Sequence, residues 1–206
     1  MLSACGPPDF SAIEDTEARK AAFVAHLCPI IEEMNQAEAR LAAQAERADE
    51  AQLRQIAEEL GLTPDVEVQL LADRVRNRIG AIPPRLALAQ AALESGWGTS
   101  ELAQKANNLF GRRCFYVEDC VTIGEVQYRR FGNFESALEL YYKDMNQLLP
   151  YKRFRDLRRA DPSNPLRMAE GLSAYSTKGA RYVAQVQRLM RDPALSCDQS
   201  STPSGS

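Results

Sequence analysis

The residues best suited to chemistry in this chain lie in the segment Glu94-Ser95-Gly96-Trp97-Gly98-Thr99-Ser100. Glu94 closes a run, Leu86 through Leu93, that is apolar over most of a helical circumference. Its neighbours Ala89, Ala91, Ala92 and Leu93 offer the carboxyl no charge from its own helix. Burial without a local countercharge disfavours ionisation and raises a carboxyl pKa. A carboxyl that keeps its proton near neutral pH can deliver it to a leaving glycosidic oxygen. A glutamate that caps or hydrogen-bonds the following loop would fit the same helix end, so both readings stand on this helix alone. Trp97, the single tryptophan, suits core packing or a sugar-stacking platform.

The elements that must carry this segment follow from pattern. Pro83 and Pro84 open its helix, as proline suits a first turn, and Ser95-Gly96 ends it. Upstream, residues 1–10 form an extended tail with Gly6, Pro7 and Pro8, and residues 11–62 an N-terminal helical region. Ser11 with Glu14 is a capping-box pattern, and Phe23, Leu27, Ile30, Ile31 and Met34 recur at helical spacing. Pro29 predicts a kink or break there. Residues 35–60 read as one long helix whose narrow stripe (Leu41, Ala45, Ala48, Leu53, Ile56, Leu60) packs on its own domain or on a coiled-coil partner. The second region, 63–192, begins with a helix over 65–79. Cys114-Phe115-Tyr116, Val121-Thr122-Ile123 and Val126-Gln127-Tyr128 favour two or three short strands. Helix returns at about 135–148, 165–175 and 178–191. Residues 193–206 read as a disordered tail.

Composition narrows the function classes. A net charge of −3 argues against a dedicated nucleic-acid binder, and no apolar run reaches the roughly 20 residues that span a bilayer. The basic run at 152–159 (KRFRDLRR) reads as a solvated helix face, with contact to an anionic polymer as the alternative. Of the five cysteines, Cys5 stands in Leu2-Ser3-Ala4-Cys5, which has the look of a bacterial lipoprotein box. Only Met1 precedes the box, without the charged and apolar parts of a signal peptide, so an ordinary cysteine near a frayed terminus is the other reading. His26, the one histidine, lies far from the cysteine pair Cys114 and Cys120, so no metal site and no cofactor are expected.

With the motifs in view, the chain resembles the glucosaminidase family of peptidoglycan hydrolases, and within it the Bax-like proteins of Gram-negative bacteria. The resemblance rests on Ile82-Pro83-Pro84, on Glu94 to Ser100, and on Asn107-Asn108-Leu109-Phe110-Gly111. It continues through the strand region, Tyr141-Tyr142 and Gly171-Leu172-Ser173-Ala174-Tyr175-Ser176, and reaches back to Pro8-Asp9-Phe10-Ser11-Ala12-Ile13. It implies an α+β, mainly helical, lysozyme-like fold: a helical lobe, a small β-hairpin lobe across a groove, and extra N-terminal helices. It implies that residues 63–192 form the catalytic domain and cleave the glycan strand after N-acetylglucosamine, with Glu94 as general acid. Tyr175 matches a tyrosine facing the site, where it would orient the N-acetyl group or stabilise the transition state; a packed aromatic is the alternative. The expected partner is the peptidoglycan glycan strand. No nucleic acid is expected, contact with the membrane is expected only if Cys5 carries a lipid, and a monomer of the periplasm or envelope is expected.

Glycosidases usually pair two carboxylates. Glu125, beside Gly124 in the hairpin, is the candidate second acid, in competition with Glu118, Asp119 and Glu135. If none reaches the site, the substrate's own N-acetyl group can assist. Asn108, Phe110, Tyr128 and Phe131 are candidate substrate-binding residues, while Asn107 and Asn108 also suit loop fixing by side-chain bonds to backbone. Arg112, Arg113, Arg129 and Arg130 meet acidic peptide stems or are plain surface. A Cys114–Cys120 disulfide would stiffen the hairpin lobe in an oxidising periplasm; a Cys28–Cys197 bridge ranks below it. Two other functions compete: a lytic transglycosylase on the same fold, and a non-catalytic wall-binding or scaffold module.

Overall fold

The computed structural model describes residues 8–115 and 119–197. Cys5, Glu118 and most of the C-terminal tail lie outside the described residues. The fold is α+β and mainly helical, with one small antiparallel sheet among the described residues. Two compact units divide it. The first takes the described parts of Met1–Ile31, Pro84–Tyr141 and Gln185–Ser206, and the second Glu32–Pro83 and Tyr142–Ala184. No helix among the described residues is long and apolar enough to cross a membrane.

In the chain, a 3-10 turn (Phe10–Ala12) precedes α1 (Thr16–Arg47), which stays one helix through Pro29. The expected break does not occur. Phe23, Val24, Leu27, Cys28 and Ile31 are buried on both sides of the proline, and their packing outweighs the one hydrogen bond it removes. The break falls later. Asp49 caps α2 (Glu50–Glu59) with a capping box shared with Gln52, so residues 35–60 form two helices. The capping pattern is legible in Asp49-Glu50-Ala51-Gln52, within a composition that otherwise favours unbroken helix.

In the second unit, Leu53, Ile56, Ala57 and Leu60 of α2 pack with Leu71, Val75 and Ile79 around α3 (Val68–Arg78). Leu41 and Ala45 of α1 lie against the same cluster, so the narrow stripe is covered within its own chain. Farther on come α7 (Lys152–Ala160), α8 (Pro165–Met168) and a 3-10 turn, Ala169–Leu172, where the sequence pattern predicts helix to 175. The run 152–159 is not simply a solvated face: Arg155 is 1% and Arg158 7% exposed. Arg158 donates to the carbonyls of Gly80 (2.7 Å) and Ile79 (3.1 Å) and to Asn146 Oδ1 (2.7 Å). A basic run on an amphipathic helix reads as solvent-facing by composition; here the carbonyls that follow α3 draw Arg158 inward, and those of Met145 and Leu148 draw Arg155.

In the first unit, α4 (Pro84–Ser95) is buried on nearly all sides. It is followed by α5 (Glu101–Ala106), a hairpin of β1 (Cys120–Ile123) and β2 (Val126–Arg129), and the start of α6 (Phe134–Gln147). Three of the four unit divisions fall inside α1, α6 and α9 (Ala180–Leu189), and the fourth at the start of α4. Phe10 stacks on Phe134 (6.2 Å between centroids) and meets Phe23 and His26 edge-on. His26 is thus a half-buried core histidine, and burial lowers its pKa. Among the described residues both expected disulfides are present, Cys114–Cys120 and the lower-ranked Cys28–Cys197, which ties α1 to the C-terminal segment.

Candidate active site

The end of α4 is built by its own loop. Ser95 is buried; its hydroxyl donates to Ala91 O (2.6 Å) and accepts from Gly98 N (2.9 Å). Ser100 N bonds Ser95 O (2.9 Å), and the Ser100 side chain caps α5. Between them Gly96, Trp97 and Gly98 all take the left-handed conformation (φ 58°, 58° and 77°). This costs a tryptophan roughly 1–2 kcal/mol. The cost is offset by Trp97 N bonding Ala92 O (3.0 Å), by its edge-on packing against Phe23, and by the Lys20 ammonium 5.4 Å from its ring. A side chain at Gly98 would run into the Phe10 ring, which makes glycine obligatory there. The first turn near Pro8–Ile13 and the Glu94 segment are therefore one packed assembly.

Glu94 is half-buried in the last turn of α4, neither sealed in the core nor turned fully to solvent. One turn earlier on the same face stands Gln90, which is fully buried. Gln90 Oε1 accepts a bond from the Tyr141 hydroxyl (2.8 Å), and the Tyr141 ring stacks on Phe110 at 4.2 Å and 6°. Phe110 precedes Gly111, where a Cβ would lie 3.8 Å from Glu94 Oε2. Gly111 has φ 68°, a conformation that glycine takes without the Cβ cost of other residues. The structure thus brings the Glu94 segment and the Asn107–Gly111 segment together, with the carboxylate against the glycine. Gln90 was not singled out by sequence. Its signal is a lone amide in an apolar helix, i−4 from Glu94.

Asn107 and Asn108 tie this segment to the hairpin lobe. Asn108 is 1% exposed; its Nδ2 donates to Arg112 O and Arg129 O (both 2.8 Å) and its Oδ1 accepts from Arg112 N (2.9 Å). Asn107, left-handed at φ 51°, donates to Phe131 O (2.9 Å) and Gly132 O (3.1 Å). The loop-fixing expectation for both asparagines matches these bonds. Phe131 is buried beneath the Arg129 guanidinium (5.1 Å) and Phe110 beneath Tyr141, so both pack more than they protrude. Tyr128 is half-buried, opposite Val121 in the ladder and bridged to Arg113. Glu125 stands exposed at the hairpin tip, between Ile123 and Val126, which pair. Asp119, also exposed, is ion-paired with Arg130 (3.2 Å).

Tyr175 belongs to the second unit. Its ring stacks on Tyr182 (5.2 Å, 6°) and lies 5.9 Å from Tyr151, leaving it half-buried in a row of three tyrosines.

Comparison with known proteins identifies the family. The family model described as mannosyl-glycoprotein endo-beta-N-acetylglucosaminidase (Glucosaminidase) matches residues 70–195. Protein bax of Escherichia coli (strain K12) is 31% identical over 191 residues, covering 85% of this chain and 70% of that protein. Exo-glucosaminidase LytG of Bacillus subtilis (strain 168) is 58% identical over 40 residues, 19% of this chain and 14% of its own. No solved structure gives a significant match. The half-buried glutamate on an apolar helix, the asparagine-anchored hairpin and the match across both belong together: the chain is a member of the glucosaminidase family, a peptidoglycan-related glycosidase.

Proposed function

We propose that the protein hydrolyses peptidoglycan as an endo-β-N-acetylglucosaminidase, with Glu94 as general acid. The observation that carries this reading is the Glu94 carboxyl, half-buried at the end of an apolar helix with Gly111 beside its Oε2. A flanking glycine leaves room for a sugar ring beside the acid. In the reaction, the Glu94 proton passes to the glycosidic oxygen as the C1–O bond breaks, and water completes hydrolysis at C1. The charge that develops at C1 is met by Glu125 from the hairpin or by the substrate's own N-acetyl oxygen. Glu125, exposed at a two-residue tip, has the freedom to approach a bound strand. Tyr175 orients the N-acetyl group, the role its match to the family motif supports. Asn108 and Phe110 shape the binding surface through the backbone they hold, Tyr128 lines it from the hairpin, and Phe131 supports it from beneath Arg129. The periplasm or envelope of a Gram-negative bacterium, reached with or without a lipid at Cys5, is where a monomer of this kind acts.

The similarity to LytG, an exo-glucosaminidase, supports a second reading, cleavage from strand ends. Mass spectrometry of digested sacculi separates the readings. Internal cuts with reducing N-acetylglucosamine ends are expected. Release of terminal units alone would replace the endo reading, and 1,6-anhydro ends would replace hydrolysis by transglycosylation. Glu94→Gln should lower product release about 10²–10⁴-fold with the fold intact; full product release in that variant would remove Glu94 as the acid, and no product release from the unaltered protein would favour the scaffold reading. Because the donor must be protonated, the rate falls as pH rises.

A further inference from the structure

Apart from the candidate active site, the second unit carries an open groove of about 640 Å3 between α3 and α7. Its lining holds five cations, Arg74, Arg78, Lys152, Arg155 and Arg159, against two carboxylates, Asp73 and Asp156. Both carboxylates are already engaged. Asp156 accepts from Lys152 (2.6 Å) and Asn77 (3.1 Å), and Asp73 pairs with Arg76 (2.8 Å) and Arg159 (3.9 Å). Arg155 forms the floor, its guanidinium spent on Met145 O, Leu148 O and Asn77 Oδ1. Arg74 and Arg78 have neither a hydrogen-bond nor an ion-pair partner among the described residues. Arg78 is half-buried, and burial lowers its pKa. Burial, Arg78 and Arg158 together push Arg155 down to about 10. Like charges held together in partly desolvated surroundings are unfavourable until an anion joins them. The same groove exposes apolar surface: Leu70 is 46% and Leu149 74% exposed.

We propose that this groove binds an anionic peptide, one that sets carboxylates against Arg74 and Arg78 and small alkyl side chains against Leu70 and Leu149. The peptide stems of a peptidoglycan strand have this chemistry, free carboxylates alternating with methyl groups. The groove would then hold the polymer by its peptides while another site acts on its sugars. A lipid surface is the other anionic, apolar ligand, but a flat headgroup layer reaches Leu149 far more readily than a half-buried Arg78 inside a concavity. The inference goes beyond the glycosidase reading and does not rest on Glu94.

The test is an NMR shift titration of the full chain with acetyl-Ala-Glu-Ala-Ala, which has two carboxylates, and with its neutral counterpart acetyl-Ala-Gln-Ala-Ala amide. Tighter binding of the acidic peptide is expected, with shifts at α3 and α7, and loss of at least about five-fold in affinity in Arg74→Glu and in Arg78→Gln. Arg74 is exposed, so its variant keeps the test valid if Arg78→Gln does not fold. Arg47→Glu, outside the groove, should bind as wild type. Equal binding of the two peptides, or wild-type affinity in Arg74→Glu, overturns the proposal. So does Arg74-dependent binding to phosphatidylglycerol vesicles in the absence of peptide binding.

Discussion

At the scale of single residues, two side-chain environments make quantitative demands. Gly111 combines a left-handed backbone with a Cα that faces the Glu94 carboxylate. Gly111→Ala should cost about 1 kcal/mol of stability from φ alone. By adding a methyl beside the acid it should also slow muropeptide release about ten-fold or more. Urea unfolding and product assays on the same preparation check both; undiminished activity would separate Gly111 from the site. Glu38, half-buried, accepts from Gly80 N (2.8 Å) near Asn146 and Arg158. Burial raises its pKa above the usual glutamate range despite those partners. A folded-state pKa above the unfolded one means that its contribution to stability is complete below the ordinary glutamate pKa and is lost as pH rises through the folded value. Glu38→Gln should therefore remove this loss of melting temperature as pH rises above the ordinary glutamate value of about 4.3. An unaltered slope by calorimetry would refute this.

At the scale of elements, the motifs are as much about packing as about chemistry. Gly171 opens the segment that ends in Tyr175-Ser176, and a Cβ there would collide with the Phe154 backbone of α7. The 3-10 turn Ala169–Leu172 can lie this close to α7 only because residue 171 is glycine. Gly171→Ala should lower stability by about 1–3 kcal/mol, since backbone has to move to admit the methyl. Chemical denaturation measures it, and a neutral result would mean that the two elements separate at no cost. The capping box at Asp49 and the left-handed turn at Gly96–Gly98 show local sequence ending elements where tertiary contacts need them to end. Pro29 shows the opposite: a local breaker overruled by the buried side chains around it. Capping and turn signals were readable in advance. The outcome at Pro29 was not, because the stabilisation that outweighs the lost hydrogen bond comes from residues far away in sequence.

At the scale of the whole molecule, the two disulfides and the glucosaminidase family place the protein outside the cytoplasm, in an oxidising setting. Cys28–Cys197 closes a loop across 169 positions, so Cys28→Ser should destabilise by about 2–4 kcal/mol through the gain in unfolded-chain entropy. A smaller loss is expected on opening Cys114–Cys120, whose separation is 6. Comparing melting temperatures of Cys28→Ser and Cys114→Ser checks the order, and the reverse order would refute it. By itself, the sequence determined the helical character, the hairpin, the family and the identity of the candidate acid. These rest on periodicity, on β-branched runs and on short motifs, all of which are local. Tertiary structure alone decided that Gln90 and Tyr141 brace Phe110 behind the Glu94 site and that Arg155 and Arg158 turn inward, and it raised the low-ranked Cys28–Cys197 pairing to a bond. Each of these joins partners distant in the chain, and no local pattern encodes which orphan carbonyl, ring or thiol a side chain will meet once the core has closed.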